Sequence, residues 1–295
     1  MAAELPRTPD APLWSRRRIV LTAITVAAVL AAIALDVSWR GLAPQAGGWK
    51  LVRSFFVRAI APAFDYEGDV PAGTEPLLFA ALGAMRRTLV FAVAGMSLAL
   101  VMGTVLGFFG SSAWWTGERA GGRDAATRGL RRAIAPAIWS VTRVVIVGMR
   151  SVHELLWAVL FLAAFGLNNV TAVVAISIPY AGTLAKVFSE MIDEAPRDAS
   201  NALRAAGATP LQVFGFGLVP RALPDMCAYA FYRFECAVRS SAILGFFGFP
   251  TLGYSISASF ENLHFGEAWT YLYALCALVV GIEVWSGALR RRFIA

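Results

Sequence analysis

The sequence predicts an all-α polytopic membrane protein with about six transmembrane helices, and three observations lead to this fold class. First, the chain of 295 residues is 58% hydrophobic and only 15% charged, whereas roughly one-quarter of the residues in a soluble domain are charged. Second, the apolar residues fall into separate runs that are long enough to cross a bilayer. Third, arginines stand at the ends of those runs, as residues that orient membrane proteins do. The net charge of +7 is therefore attributed to topology, and no nucleic-acid partner is predicted.

The segment before the core contains one predicted span and one helix that does not cross the membrane. Residues 1–18 are polar and Pro-rich and end in arginines, which predicts a cytoplasmic tail. Residues 19–76 begin with the first span, Ile19 to Leu35. Trp49 to Phe64 has apolar residues at helical spacing and basic residues elsewhere on the wheel. This pattern predicts an amphipathic helix, either on the outer membrane surface or on the flank of the bundle, before an acidic outer loop.

Residues 77–295 are expected to form the core, and their first long apolar run is interrupted by Arg86 and Arg87. We therefore expect a lead-in segment over Leu77 to Met85 and a separate second span over Thr88 to Phe109. Small residues in this span are expected to let a neighbouring helix approach closely. They are Gly95, Gly103, Gly107 and Ser97.

The remaining spans are predicted over residues 133–165, 170–190, 225–249 and 268–288. The first of them is longer than a bilayer needs and is therefore predicted to be tilted or bent. The loop 111–132 is rich in arginine, and the chain closes on three more arginines. These charges predict that the loop and both termini are cytoplasmic. Residues 250–266 are predicted to form an outer loop.

A polar segment at residues 191–217 is predicted to lie outside the hydrocarbon. Ala199 to Ala206 has the composition of a helix, and Gly207 can end it in a left-handed conformation. Thr209 can cap a second helix, and Pro210 suits its first turn. The prediction is two short helices joined at a glycine elbow, in a protrusion suited to binding by a partner.

The same segment resembles the loop shared by the membrane subunits of ABC importers, a Glu-Ala-Ala pattern followed by Gly and later by Ile and Leu-Pro. Ala202, Gly207, Ala208 and Pro220 match this pattern, and Asn201, Leu203, Gly217 and Val219 differ from it. Two further stretches are MRSVHELLWAVLF at 149–161 and YRFECAVRSSAILGFFG at 232–248. Both resemble permeases of the phosphonate group, which includes phosphite and hypophosphite systems.

This resemblance implies a type I ABC importer permease fold, with residues 191–217 as a cytoplasmic coupling loop. It implies a multi-pass protein of the bacterial inner membrane that lines the pathway for phosphonate or a related small phosphorus oxyanion. The implied partners are ATP-binding subunits, a periplasmic substrate-binding protein, the lipid bilayer, and a second permease subunit that is identical or a close paralogue. ATP and Mg²⁺ belong to the ATP-binding subunits, and no cofactor is implied for this chain. The expected coupling contacts are Asn201, Ala202, Arg204, Gly207, Ala208, Thr209, Pro210 and Pro220.

The sequence contains no motif for chemistry of its own. It has no GxxxxGK[ST] phosphate-binding loop, no His and Cys cluster with metal-ligand spacing, and no Gly-x-Ser-x-Gly elbow. The chain is therefore not expected to be an enzyme or to bind a metal, and a partner chain is expected to hydrolyse ATP.

Ionisable residues inside the predicted spans are the candidate pathway residues, because a charge in the hydrocarbon costs at least about 2.5 to 3.5 kcal/mol. They are Arg150, His153 and Glu154 in the third span and Arg233, Glu235 and Arg239 in the fifth. Glu235 can pair with Arg239 on one helix face, and Glu154 can pair with Arg233 or Arg239. Three interpretations stay open: these charges lock helix to helix, Arg150 or Arg239 attracts an oxyanion in transit, or the charges act in gating. His153 stands where the family often has Pro, and is either a satisfied polar residue or a specific feature of this chain.

Small and hydroxylated residues near the outer end of the fifth span are candidate gate residues. They are Ser240, Ser241, Gly245, Gly248 and Gly253. Related permeases carry a glycine-rich run here, and glycine lets helices approach and bend. The region is either a gate, a dock for the binding protein, or an ordinary helix end.

Two other functions are considered for the same residues. An ion-coupled secondary carrier of small anions would use Glu154, Glu235 and the arginines as a proton and substrate relay, and a pH gradient would drive it without a second chain. An intramembrane enzyme would need a nucleophile and a base within reach of each other, and the sequence offers no such pair.

Overall fold

The computed structural model describes residues 15–37, 41, 46–117 and 125–294, and most of them are helical. They group into two units, one that ends at Phe56 and one that begins at Val57. The helices are α1 (Arg16–Ala34), α2 (Gly48–Ile60), α3 (Leu77–Gly110), α4 (Ser112–Gly117), α5 (Ala125–Ser151), α6 (Glu154–Phe165), α7 (Asn169–Glu194), α8 (Asp198–Ala205), α9 (Pro210–Gln212), α10 (Val219–Ile243), α11 (Leu252–Glu261) and α12 (Phe265–Ile294). A π-helix (Val213–Leu218) joins α9 to α10, and a 3-10 helix (Leu244–Phe247) follows α10. Residues 1–14 of the predicted tail and residues 118–124 of the predicted loop lie outside the described residues.

The predicted all-α membrane fold is confirmed. Within the described ranges, five helices are long and apolar enough to cross a membrane. They are α1, α3, residues 134–151 of α5, α7 and α12. The helical run 213–247 and α11 meet at 45° and supply a sixth crossing if they count as one bent span.

Helix α1 matches the predicted first span. Its first turn is capped by Ser15, whose hydroxyl accepts a hydrogen bond from the Arg18 N–H at 3.4 Å. None of its side chains is buried by the chain itself. An apolar helix with no buried face needs lipid or a partner around it. Helix α2 confirms the predicted amphipathic helix, although it ends at Ile60 rather than at residue 64.

Helix α3 is one continuous helix of 34 residues, so the predicted division into a lead-in segment and a separate span is wrong. Arg86 and Arg87 stay within it, and both side chains are exposed. Arginine is a good helix former, and its long stem carries the charge away from the backbone, so neither residue breaks the helix. At 1.5 Å per residue α3 is about 50 Å long, which exceeds the hydrocarbon core of about 30 Å. Residues 77–85 can therefore extend beyond the membrane as part of the same helix.

Glycines of α3 form the contact with α7, as predicted. A Cβ added to Gly103 would lie only 2.7 Å from Leu184 Cβ, and Cβ atoms on Gly95 and Gly107 would meet side chains of α7 at 3.0 and 3.1 Å. Only a glycine face allows the two helices to approach this closely. Ser97 is exposed instead, so its predicted place in this contact is wrong.

The predicted span over residues 133–165 is not one tilted or bent helix, because it is broken into α5 and α6 at Val152 and His153. His153 has extended backbone, and its Nδ1 accepts a hydrogen bond from the Leu155 N–H at 3.3 Å. The imidazole thus caps the first turn of α6 in the manner of an N-cap side chain. Glu154 becomes the first residue of a new helix rather than a mid-helix charge.

The chain leaves α7 into α8, and this end of the bundle is called the loop end. α8 is the first predicted short helix, and Gly207 follows it at φ +82°, as predicted. The prediction that the second helix is short is wrong. The chain stays helical from residue 210 through α10 to residue 247. Near Pro220, which has no N–H to donate, the ladder widens to π pitch, and the Val219 N–H bonds to Phe214 O. The predicted fifth span is therefore the continuation of the loop segment.

The predicted outer loop at 250–266 is wrong, since it contains α11. Its Gly- and Ser-rich composition is typical of loops, but packing on α10 and α12 makes it helical. Gly248 turns the chain at φ +93°, and Thr251 Oγ1 then donates to Ala242 O at 3.0 Å. A Cβ on Gly253 would lie 2.1 Å from the same carbonyl oxygen. This corner is therefore a backbone-to-backbone contact that admits no side chain.

Candidate functional site

A chain of polar side chains connects α6, α7 and α10. Ser240 Oγ donates a hydrogen bond to Glu154 Oε1 at 2.7 Å, and Tyr180 Oη lies 2.9 Å from Ser240 Oγ. Because Ser240 gives its one proton to Glu154, Tyr180 is the donor to Ser240. The two hydroxyls thus form a hydrogen-bond chain that ends on the carboxylate of Glu154. Glu154 bonds to a hydroxyl, and its predicted ion pair with Arg233 or Arg239 is wrong.

Arg233 lies against the same tyrosine. Its guanidinium carbon is 4.9 Å from the centroid of the Tyr180 ring, a cation–π contact. The Nε atom of Arg233 is buried and has no hydrogen-bond partner. Across the part of the chain that the structure describes, no carboxylate lies within ion-pair distance of Arg233. The site therefore holds a cation whose charge is not neutralised by a direct partner.

The other predicted pair on α10 is also wrong. Glu235 forms its ion pair with Arg290 of α12 at 3.0 Å, while Arg239 donates to Cys236 Sγ at 3.6 Å. The reason is the direction of each side chain, since Glu235 is buried and Arg239 is exposed. Glu235 thus locks α10 to α12, as the structural interpretation of these charges expected.

Arg150 and His153 lie at the break between α5 and α6. Arg150 is exposed in the last turn of α5, and His153 is engaged as the cap of α6. Tyr229 of α10 interacts electrostatically with both Arg233 and Arg150. The structure therefore brings Glu154, Ser240 and Arg233 together with Arg150 near them, whereas Glu235 and Arg239 lie apart from this group.

A cleft of about 560 Å³ opens between the end of α7 and the start of α10. Its lining includes Met191, Glu194, Arg221, Asp225 and Tyr229. Tyr229 is shared between the cleft and the surroundings of Arg233.

Most of the candidate gate residues form a packed corner. Ser241 is fully buried and donates to Thr88 O at 2.9 Å. The Thr88 hydroxyl in turn accepts from the Leu252 N–H at 3.0 Å. Gly245 is equally confined, because a Cβ there would lie 2.0 Å from the backbone N of Tyr254. These residues join α3, α10 and α11, and Ser240 alone among them belongs to the polar cluster.

The predicted coupling segment has a defined local structure at the loop end. The Thr209 N–H donates to Gln212 Oε1 at 2.9 Å, and the Gln212 N–H donates to Thr209 Oγ1 at 3.4 Å, which is a reciprocal cap. α8 packs closely on the π-helix, since a Cβ on Gly217 would lie 2.9 Å from Ser200 Oγ. The exposed residues among the predicted contacts are Asn201, Ala202, Arg204, Gly207, Thr209 and Pro220.

Two side chains at the centre of these networks were missed by the sequence reasoning. Tyr180 stands in an apolar run, and only its position after a proline distinguishes it. Asp193 accepts from Ser111 Oγ at 2.6 Å and from the Ala113 N–H at 2.8 Å, and it lies 3.8 Å from Arg143. Asp193 stands among several acidic residues of the sequence, and no local signal separates it from them.

The opposite end of the bundle has its own polar contact. The Gly266 N–H donates to Glu67 Oε2 at 3.0 Å, while the Glu67 N–H donates to Glu267 Oε1 at 2.6 Å. His264 Nδ1 is 3.3 Å from the same Glu267 oxygen. This exchange fixes the segment after α2 to the start of α12.

A helical bundle with a broken span and ionisable side chains at the break has the features of a membrane transport protein. Residues 135–293 match the family described as binding-protein-dependent transport system inner membrane component. The match covers more than half of the chain, and the chain belongs to this family. The resemblance found in the sequence is thereby confirmed, together with a multi-pass location in the inner membrane.

Curated relatives extend this result. The phosphite transport system permease protein PtxC of Stutzerimonas stutzeri is 31% identical over 209 residues, which are 70% of this chain and 68% of that protein. The phosphate-import permease protein PhnE of Mycolicibacterium smegmatis is 30% identical over 156 residues, 53% of this chain and 29% of that protein. The putative cryptic phosphonate transport system permease protein PhnE2 of Escherichia coli is 28% identical over 120 residues, 41% of this chain and 98% of that protein.

Solved structures share the fold. A chain of the MetNI methionine ABC transporter in an inward-facing conformation superimposes with a TM-score of 0.57 at 22% identity, over 75% of this chain and 99% of that one. A chain of an amino acid ABC transporter also gives a TM-score of 0.57, at 16% identity, over 72% of this chain and 94% of that one. At these identities the likeness concerns the fold alone.

Proposed function

We propose that this chain is the pathway-lining permease subunit of an ATP-driven importer for phosphonate, phosphite, hypophosphite or a related small phosphorus oxyanion. The observation that carries the substrate class is the set of relatives, whose names refer to phosphite, phosphate or phosphonate transport. The cation at the polar cluster is consistent with such a substrate, because guanidinium donates two parallel hydrogen bonds to an oxyanion.

The proposed pathway runs along the polar cluster and the cleft between α7 and α10. A second permease subunit, identical or closely related, would close it from the other side. α10 presents an exposed stripe to that subunit, in which Asp225, Tyr232 and Arg239 recur at intervals of one heptad. Side chains seven apart lie on one helix face, so this stripe is suited to contact the partner subunit.

The proposed coupling contact is α8 with the glycine elbow. ATP-binding subunits, which would hold ATP and Mg²⁺, would bind its exposed residues. Movement of α8 can reach the cluster directly, because α8 packs on the π-helix at Gly217. The π-helix continues without interruption into α10, which carries Arg233 and Ser240. Rocking of one rigid element against another is the general basis of alternating access.

This proposal makes the loop end cytoplasmic, together with both termini. The arginines at the end of α12 agree with that orientation. The opposite end, where Glu67 and Glu267 tie the segment after α2 to α12, would then face a periplasmic substrate-binding protein.

Reconstitution in liposomes tests the proposal. We expect uptake of labelled phosphite only when the ATP-binding subunit, ATP on the side of the loop end, and the binding protein on the opposite side are all supplied. Uptake by this chain alone under a pH gradient would contradict the proposal and favour an ion-coupled carrier. ATP-dependent uptake of other solutes without any phosphorus oxyanion would contradict the substrate class alone.

A further inference from the structure

We propose that Arg233 is the residue that binds the oxyanion in transit, and that Glu154, through Ser240 and Tyr180, makes this subsite prefer a singly charged oxyanion to a doubly charged one. The proposal rests on the proposed function, since it assumes that a small oxyanion passes the polar cluster. Of the six ionisable residues predicted as pathway candidates, the proposal assigns roles to two: Arg233 attracts the oxyanion and Glu154 repels it.

Arg233 is selected by elimination among the candidate cations. Arg239 is exposed and bonded to a cysteine sulfur, and Arg290 is neutralised by Glu235. Arg150 is exposed at the end of α5. Arg233 combines a half-buried position with a buried Nε that has no hydrogen-bond partner. An unpaired donor of this kind is costly unless a ligand satisfies it for part of the cycle.

The tyrosine holds the guanidinium without neutralising it. The cation–π contact at 4.9 Å orients Arg233 against Tyr180. A carboxylate in the same place would compete with an incoming anion, whereas an aromatic ring leaves the donors of the guanidinium free for it. This difference makes the arrangement suited to transient binding rather than to a permanent ion pair.

The hydrogen-bond chain determines what the rest of the subsite offers. Tyr180 donates to Ser240 and Ser240 donates to Glu154, so the Tyr180 oxygen keeps its lone pairs as an acceptor. Beside the Arg233 guanidinium, the site therefore presents an acceptor oxygen and a carboxylate. The carboxylate repels a doubly charged oxyanion more strongly than a singly charged one, whose charge Arg233 matches.

The other titratable groups near this subsite are few. His153 is adjacent to Glu154 but caps α6, and Arg150 precedes the break in the helix. On α10, Cys236 interacts electrostatically with Tyr180, and Tyr229 interacts with Arg233. The carboxylate of Glu154 is the one acidic group that the hydrogen-bond chain reaches.

The test measures direct binding of labelled phosphite and hypophosphite to the purified complex of permease and ATP-binding subunits. It is done at one mildly alkaline pH, at which phosphite is mostly a dianion and hypophosphite a monoanion. We expect Arg233→Gln to weaken binding of both anions about tenfold or more, the size of a lost charge-assisted hydrogen bond. Arg233→Lys should lose less, because it keeps the charge but not the fork. Arg291→Gln, an exposed arginine of the last turn of α12, is the matched control and should bind as wild type.

The Glu154→Gln variant is expected to gain affinity, a result that misfolding of the variant would not produce. We expect it to raise the affinity for phosphite relative to hypophosphite by several-fold, because the carboxylate that repels the second charge is gone. An unchanged ratio would overturn the role of Glu154. Loss of binding in Arg239→Gln but not in Arg233→Gln would overturn the role of Arg233. Arg233→Gln and Glu154→Gln could both bind the two anions as the wild type does, while uptake still needs ATP and the binding protein. In that case this inference fails and the proposed function stands.

Discussion

Asp193 joins two elements at the loop end that are far apart in the sequence. Its carboxylate receives the Ser111 hydroxyl and the N–H groups of Ser112 and Ala113, so it caps the start of α4 from the end of α7. Ser111 is fully buried. A carboxylate that accepts several bonds in this way stabilises the helix start and ties two elements together.

Replacing Asp193 by Asn tests this contact at the scale of one residue. The amide presents an NH₂ group where one oxygen now accepts, so one donor of α4 loses its partner. We expect the free energy of unfolding to fall by about 1 to 2 kcal/mol, measured as thermal unfolding of the purified protein in detergent. Asp69→Asn, in an exposed loop, is the matched control. Equal unfolding temperatures for the two variants would contradict the capping role.

Tyr66 gives a pH-dependent prediction at the same scale. It lies between α2 and α3, where burial, followed by the charges of Glu267 and Glu75, raises the pKa of its hydroxyl above the usual 10.0, with an opposing hydrogen bond from Tyr271. The folded protein therefore holds this proton more tightly than the unfolded chain does. Its contribution to stability is complete below the unfolded pKa of about 10 and falls as the pH rises through the folded pKa.

The measurement compares the wild type with Tyr66→Phe. Above about pH 10 we expect the unfolding temperature of the wild type to fall more steeply than that of the variant, which has no phenol to ionise. At neutral pH the two should show no such difference in slope. Parallel curves over the whole alkaline range would mean that the environment of Tyr66 does not favour its neutral form.

At the scale of elements, α3 and α7 run parallel and pack closely against each other. This packing depends on glycine, because the added Cβ at position 103 would lie 2.7 Å from Leu184 Cβ. The break between α5 and α6 is the second feature at this scale. It exposes a helix start beside α10, which a continuous span could not do.

A matched pair of alanine substitutions in α3 tests the helix contact. We expect Gly103→Ala to lower the free energy of unfolding by about 1 to 3 kcal/mol, because α3 and α7 must move apart. Gly83→Ala places its Cβ where nothing lies within 4 Å, so it should be neutral or stabilise by up to about 1 kcal/mol. Thermal unfolding of both variants measures the difference, and a reversed order would contradict the packing.

At the scale of the whole molecule, the loop segment and the polar cluster belong to one mechanical unit. The residues from the elbow to the corner before α11 form one helical run, and the cluster is attached to it through Ser240 and Arg233. Ion pairs and hydrogen bonds to α12 and α3 then connect this run to the rest of the bundle. A displacement of α8 is therefore expected to move the cluster and not only the loop.

Substitutions at Gly207 test that expectation. A Cβ there meets nothing within 4 Å, but φ is +82°, so Gly207→Val strains the backbone without a clash. We expect this variant to hydrolyse ATP in the reconstituted complex while transporting several-fold less substrate per ATP. Gly207→Asn should retain more coupling, because Asn tolerates the left-handed region. Equal transport per ATP in the wild type and the Val variant would contradict a role for the elbow.

Features that depend on neighbours along the chain could be predicted from the sequence. The spans follow from the length of apolar runs, the left-handed turn at Gly207 from the lack of a Cβ, and the α3 contact from the spacing of its glycines. The helical state of α11 and the unbroken length of α3 were not predictable in this way, because packing on other helices overrides local composition there.

The sequence alone thus determined that this protein is a helical membrane permease with a glycine elbow between two spans. Only the tertiary structure decided which charges and hydroxyls meet. Glu235 pairs with a residue 55 positions away rather than with Arg239, Tyr180 meets a serine 60 positions away, and Asp193 bonds to a serine 82 positions away. The reason is physical: a polar group in a bundle bonds to whatever the facing helix presents, and the facing helix is chosen by the packing of the whole chain.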